Sequence, residues 1–182
     1  MFDQILFAKI GWGDVYQGKD LTGRFRNDAW WERYNFLLRP DDRCYGYIPP
    51  ITRYESPPKP QISDNWLVVF VAPENGSGAT VPVGFYLGAN FKPDYTPRPD
   101  GLTDCYGNQC DFCVSTEAAN AYLIPVKKRS EFALQVRVTK HFTRNFAYAR
   151  GNRVDENEDW RLILAETAER VVAVKRRFDR IG

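Results

Sequence analysis

The chain has a single histidine, His141, and that scarcity alone removes a large part of catalytic chemistry. Paired-histidine nucleases, zincins and most Ser-His or Cys-His catalysts need an imidazole at a defined partner spacing, and here at most one such role can be filled. No Asp-x-Lys or Glu-x-Lys triplet occurs, which removes the short signature of many restriction-type nuclease cores. A P-loop is missing, and so is a strand–Gly-rich turn–helix of the dinucleotide-binding kind. The carboxylate pairs that do occur, Asp41-Asp42 and Glu156 with Glu158, sit in turn or helix-start contexts. Catalysis within this chain is therefore not expected, and no cofactor is implied. No apolar run approaches the roughly 20 residues that span a bilayer, so no membrane partner is expected. Residues 1–10 carry an acid at position 3 and lack the basic start and small-residue cleavage site of a signal peptide. The expectation is a cytoplasmic protein, whose four cysteines are free thiols or metal ligands rather than disulfides.

What the chain does have is aromatic residues, 15% of the total within 43% hydrophobic content, enough for one well-packed domain of 182 residues. Many fall before residue 50, in three phrases: Gly11-Trp12-Gly13, Trp30 to Phe36, and Tyr45-Gly46-Tyr47. Interrupted by Gly, Asp and Arg, they follow neither the helical nor the strand period, so they cannot all face one core. Flat rings beside hydrogen-bonding groups suit stacking on another flat ring, of which a nucleobase is the commonest.

Strands are predicted at Ile5–Ile10, Cys44–Ile48, Trp66–Ala72, Thr80–Tyr86, Ala121–Pro125 and Glu131–Val138. The third and fourth form a hairpin across the turn-rich stretch from Pro73 to Gly78. The proline-bearing stretches Thr52–Ser63 and Lys92–Asn108 are predicted as loops, and residues 116–121 as a helical turn. From Glu156 to Phe178 the period changes. Trp160, Ile163, Leu164, Thr167, Val171 and Val174 share one helical face, with acids leading and Lys175, Arg176, Arg177 and Arg180 closing, as the helix dipole favours. The expected class is α+β: a small curved sheet or partly open β-barrel over residues 1–150, with flanking helices and a long amphipathic helix in 151–182. That helix would pack on the sheet or lead to a partner or second domain.

Net charge is only +2, but it is segregated. Eight basic residues against the single acid Glu131 lie between Lys127 and Arg153, a band suited to phosphates or to a plain solvated face. Cys105, Cys110 and Cys113 form a C-x4-C-x2-C cluster to which Cys44 or His141 would add a fourth zinc ligand. Buried or free thiols are the competing reading, and no bound metal is expected.

Taken together, Ile10-Gly11-Trp12, Tyr16-x-Gly18, Glu32-x-x-Asn35-Phe36 and Tyr45-Gly46-Tyr47 resemble the opening of a bacterial module of the PUA-like superfamily. Leu67 to Ala72, Val83-Gly84-Phe85-Tyr86-x-x-Ala89, and Ala121 to Pro125 with Arg129 extend the resemblance over residues 5–130. That superfamily includes the EVE, YTH, ASCH and SRA groups, small barrels whose pocket accepts a modified or flipped base. Related bacterial modules are fused to nucleases, notably HNH-type ones, in modification-dependent restriction systems of the kind used in phage defence. The resemblance implies a non-catalytic reader of modified DNA bases: 5-methylcytosine, 5-hydroxymethylcytosine or N6-methyladenine. A nuclease would be supplied by a partner or a fused domain. An RNA reader of the same fold and a protein-interaction or subunit module, including a homodimer, remain alternatives.

An extruded base needs stacking walls and edge-reading polar groups. Trp12, Tyr16, Trp30, Trp31, Tyr47 and Tyr86 are the candidate walls. Asn35 and Glu32 are the candidate edge readers. Arg24, Arg26, Lys127, Lys128, Arg129, Lys140 and Arg144 are the candidate phosphate contacts. For each aromatic the competing reading is core, and for Asn35 a turn-capping amide.

Overall fold

The computed structural model describes residues 1–18, 31–50, 56–75, 77–142 and 144–178, with side chains to residue 175. Its architecture is α+β. One mixed sheet contains β1 (Ile5–Lys9), β2 (Arg43–Gly46), β3 (Trp66–Pro73), β4 (Thr80–Pro97), β5 (Asp111–Glu117), β6 (Ala121–Leu123) and β7 (Phe146–Arg150). The helices are α1 (Val126–Arg129), α2 (Val136–Thr139) and α3 (Asp159–Phe178), with 3-10 turns at Trp31–Tyr34, Ala118–Asn120 and Ser130–Phe132. Strand order is β2-β5-β4-β3-β1-β7, with β6 on the first half of β4; the β1–β3 pair is parallel and the others antiparallel.

Side-chain alternation along the central strands divides the interior in two. Ile5 and Phe7 of β1, with Leu67, Val69 and Val71 of β3, face a cluster closed by α3 through Leu164, Ala168 and Val171. Leu6 and Ala8, with Trp66, Val68, Phe70 and Ala72, face the other way, onto Tyr16, Phe36 and Tyr86. The expected helical face is the one buried: Leu164, Thr167 and Val171 are inside, while Trp160, Ile163 and Val174 pack at its margin. Arg180 and the side chains of Arg176 and Arg177 lie outside the described residues. No helix among the described residues is long and apolar enough to cross a membrane.

Two sequence expectations fail for identifiable reasons. Residues 131–138 are not a strand but the turn Ser130–Phe132 followed by α2. Phe132 and Leu134 imitate strand alternation, yet Phe132 ends the helical turn and Leu134 lies in the link to α2, both on the α3-side core. The stretch from Lys92 is not wholly loop, because β4 runs on to Pro97. Its pairing with β5 shifts between Phe91 and Thr96, so Pro93 falls in the irregular part, where no ladder donor is required. Pattern reading also missed β5 and β7. In β7 the buried positions are Ala147 and Ala149, which lie in the core that α3 closes but give a weak hydrophobic signal.

One glycine allows the site-bearing segment to dock. A Cβ on Gly84 would lie 2.7 Å from Tyr122 O and collide with the Phe36 ring, so only glycine lets the chain after the Trp31–Tyr34 turn settle on β4.

Candidate functional site

At the end of β1 the chain leaves the sheet. Lys9 N–H donates to Asn145 O at 2.7 Å, Ile10 N–H donates to Val71 O at 2.8 Å, and the next residue, Gly11, opens a cleft of about 600 Å³. The size is that of a small-ligand site. Lys9, Ile10 and Gly11 form one side, Tyr47, Pro49 and Pro50 another, and Glu32, Pro73 and Asn145 complete the lining.

Local hydrogen bonds put Glu32 there. Gly18 N–H donates to Arg33 O at 3.1 Å, Phe36 N–H to Tyr16 O at 3.1 Å, and Asn35 N–H to Glu32 O at 3.1 Å, which sews the Trp31–Tyr34 turn to the Tyr16–Gly18 segment. The Glu32 side chain is 2% exposed. Its Oε1 accepts the Gly11 N–H at 3.4 Å, its own N–H contributes, and no salt bridge to it exists among the described residues. Burial pushes its carboxyl up to about 7, against the smaller opposing pull of those N–H groups and of the Arg33 charge. A strongly perturbed acid in a cleft marks a candidate site.

Tyr47 is the aromatic wall. Its ring meets Trp31 edge-on at 5.3 Å and lies tilted on Tyr95 at 5.1 Å. Tyr95 is fixed by its hydroxyl donating to Ile48 O at 2.7 Å. Trp31 is fixed by its indole N–H donating to Asp104 Oδ2 at 3.3 Å. Asp104 in turn accepts from Tyr106 N–H and Asn108 N–H, each at 2.9 Å, and from the Asn108 amide at 3.2 Å. Burial alone would raise the Asp104 carboxyl, but these hydrogen bonds outweigh it and hold it below the usual range. The cysteine-bearing loop is thus a buttress for Trp31.

It is not a metal centre among the described residues. No group of three His, Cys, Asp or Glu there is disposed to hold a metal. Cys113 is buried with Sγ 3.8 Å from Gly46 O, Cys110 is buried, and Cys105 is exposed, so Cys105, Cys110 and Cys113 do not converge. Burial raises the Cys110 thiol to about 11 and the Cys113 thiol to about 12, which opposes the thiolate that zinc requires.

No protein-family model, characterised protein or solved structure matches the chain. The site must be read from its own geometry.

Of the sequence candidates, Glu32, Tyr47 and Trp31 come together. Trp12 follows the cleft residue Gly11 but does not itself line the cleft; it is partly exposed, with the Arg129 guanidinium 5.0 Å from its ring centre. Three candidates belong to the framework instead. Tyr16 is buried, its hydroxyl donating to Gly11 O at 2.6 Å and accepting from Gly13 N–H at 2.9 Å, so it shapes the glycine turn. Tyr86 is fully buried, donates to Asn35 O, and packs on Phe36 and Phe70. Asn35 is fully buried with both amide atoms committed to the Tyr47 main chain. Trp30 lies outside the described residues.

The phosphate candidates divide similarly. Arg129 is wholly buried, donating to Ile124 O at 2.9 Å, Gly13 O at 2.6 Å and Asp14 O at 2.7 Å, and is not available to phosphate. Lys127, Lys140 and Arg144 are exposed, and Lys128 pairs with Glu131 at 2.7 Å. Arg24 and Arg26 lie outside the described residues. Lys9, Asn145, Tyr95 and Asp104 were not singled out from the sequence. Only Asn145 carried a signal there, as an amide directly after Arg144 in the basic band.

Proposed function

We propose that the chain is a non-catalytic nucleic-acid-binding module of PUA-like type, which takes an extruded, modified base into the cleft beside Tyr47. The observation that carries this reading is the pairing of a ring wall with a buried acid: Tyr47, braced by Trp31 and Tyr95, and Glu32 line one cleft of about 600 Å³. A ring face for stacking and a polar group for the base edge are the two things a flipped-base pocket needs. Lys9 lines the same cleft, and the exposed Arg144 adjoins the cleft residue Asn145 in sequence, which supports a part for both in holding flanking phosphates. Unstacking costs a few kcal/mol, which stacking and edge hydrogen bonds offset.

A fluorescence titration tests the reading, using identical DNA duplexes carrying cytosine, 5-methylcytosine, 5-hydroxymethylcytosine or N6-methyladenine, at low and near-physiological salt. A preference of about tenfold for one modified duplex, lost in Tyr47→Ala and Trp12→Ala, is expected; tenfold is about 1.4 kcal/mol, within reach of one methyl group. Equal, salt-dominated binding to all duplexes would leave only a phosphate-binding surface. Tighter binding to single-stranded RNA would assign the cleft to an RNA reader.

A further inference from the structure

The cleft holds one buried carboxyl with no cation paired to it among the described residues, and a binding surface seldom keeps such a group without a use. Its two oxygens differ. Oε1 accepts the Gly11 N–H, whereas no other residue donates to Oε2 among the described residues. An N–H held on Oε1 favours that atom as the carbonyl oxygen and leaves Oε2 to carry the proton. A protonated carboxyl then presents an acceptor and a donor side by side. Cytosine- and adenine-type bases carry the complement, an exocyclic N–H beside an unprotonated ring nitrogen. In the same pose a thymine-type base sets a carbonyl against Oε1 and a ring N–H against the Oε2 proton, so both contacts are opposed.

Resting on the reading that a base enters this cleft, we propose that Glu32 selects amino-bearing bases by accepting the exocyclic N–H on Oε1 and donating from Oε2 to the adjacent ring nitrogen. The ionised carboxylate offers two acceptors and no donor, so it turns a lone pair against the ring nitrogen. Recognition therefore requires the proton and weakens as the acid ionises. Among the described residues, the charged and titratable groups facing Glu32 are few. Arg33 adjoins it, Tyr47 and Lys9 share the cleft, and Tyr16 lies behind with Asp14 and Arg129 around it. Burial raises both tyrosines, keeping them neutral across the working range, and Lys9 stands over the Phe142 ring at 5.1 Å.

The test measures affinity at pH 5.5, 7 and 8.5 for unmodified duplexes and for duplexes carrying 5-methylcytosine, N6-methyladenine or 5-hydroxymethyluracil, with selection read as the ratio of each amino-bearing duplex to the 5-hydroxymethyluracil duplex. With a carboxyl titrating at about 7, the ratio of the preferred amino-bearing duplex to the 5-hydroxymethyluracil duplex falls by up to about 30-fold from pH 5.5 to 8.5, following the protonated fraction. Glu32→Gln replaces the acid with an amide that also accepts on one atom and donates on the other. It is expected to keep the preference and lose the pH dependence, while Glu32→Ala loses the preference. A wild-type ratio flat across pH, equal binding of the 5-hydroxymethyluracil duplex, or a folded Glu32→Gln protein that binds no better than Glu32→Ala would overturn the role of Glu32. In each of those cases base reading survives if a modified duplex is still preferred over its unmodified counterpart and Tyr47→Ala removes that preference. No preference for any modified duplex at any pH would overturn base reading itself, and the role of Glu32 with it.

Discussion

The Asn35 side chain holds the Tyr47 main chain at both ends, its Nδ2 donating to Tyr47 O at 3.0 Å and its Oδ1 accepting Tyr47 N–H at 2.8 Å. Tyr47 follows β2, and this pair of bonds takes the place of a ladder partner while turning its ring to the cleft. Asn35→Ala would strand a donor and an acceptor in a largely buried place. The expected cost is about 2–6 kcal/mol in urea unfolding, from two groups at about 1–3 kcal/mol each. A loss below about 0.5 kcal/mol would show that water replaces the amide and that Tyr47 does not depend on it.

Arg129 works in the same way on the glycine turn that follows the cleft residue Gly11. Its guanidinium collects the carbonyls of Gly13, Asp14 and Ile124, tying the glycine turn around Trp12 to the start of α1. Burial lowers its pKa, with the neighbouring Tyr16 and Asp14 opposing that shift. Arg129→Leu is expected to destabilise by about 3 kcal/mol or more, because three carbonyls lose a donor that no smaller cation can replace at once. Arg129→Lys should recover only part of that loss. If either variant unfolded at the wild-type urea midpoint, the guanidinium would be incidental to the turn.

Much of the scaffold was legible because its signals are periodic. The β1 and β3 runs, the hairpin to β4 and the apolar stripe of α3 each repeat along the chain and emerge as expected. The bend in β4 and the alanine strand β7 were not legible, since proline argues against strand and alanine carries little hydrophobic contrast. For the site, residue type was informative and orientation was not. Trp31, Glu32 and Tyr47 meet at the cleft, yet Tyr16, Asn35 and Tyr86, from the same phrases, turn inward to hold the walls. Arg129 sits in a run of bases with Lys127 and Lys128 but points the other way, because Val126–Arg129 is a helical turn with one side on the core. Long-range closure decides such cases, as with Asp104 reaching Trp31 across the chain.

The exposed cations should separate cleanly from the buried one. Lys140 and Arg144 make no hydrogen bond or salt bridge through their side chains among the described residues, so replacing them removes charge and little packing. Lys140→Ala and Arg144→Ala are each expected to leave unfolding stability within about 0.5 kcal/mol. If they contact phosphate, each flattens the slope of log affinity against log salt by about 0.9. The check is a duplex titration from low to near-physiological salt. An unchanged slope in both variants would move the phosphate track away from this edge of the sheet.

Glu32 makes the stability of the protein depend on pH, apart from any ligand. Its carboxyl titrates at about 7 when folded, against an ordinary value of 4.5, so the folded state holds the proton more tightly. For an acid raised in this way, the contribution is fully present below the ordinary value and is lost as pH rises through 7. The unfolded chain ionises freely, whereas the folded chain must ionise a buried group. Glu32→Gln removes that penalty. The variant and wild type should unfold alike near pH 4.5, and above pH 8 the variant should be more stable by roughly 3 kcal/mol, the energy of the shift at 1.36 kcal/mol per unit. Urea midpoints of both proteins at several pH values measure it directly. A stability difference that stayed constant from pH 5 to 8.5 would mean that Glu32 ionises as easily in the cleft as in water, and that the Gly11 and Arg33 contacts offset its burial.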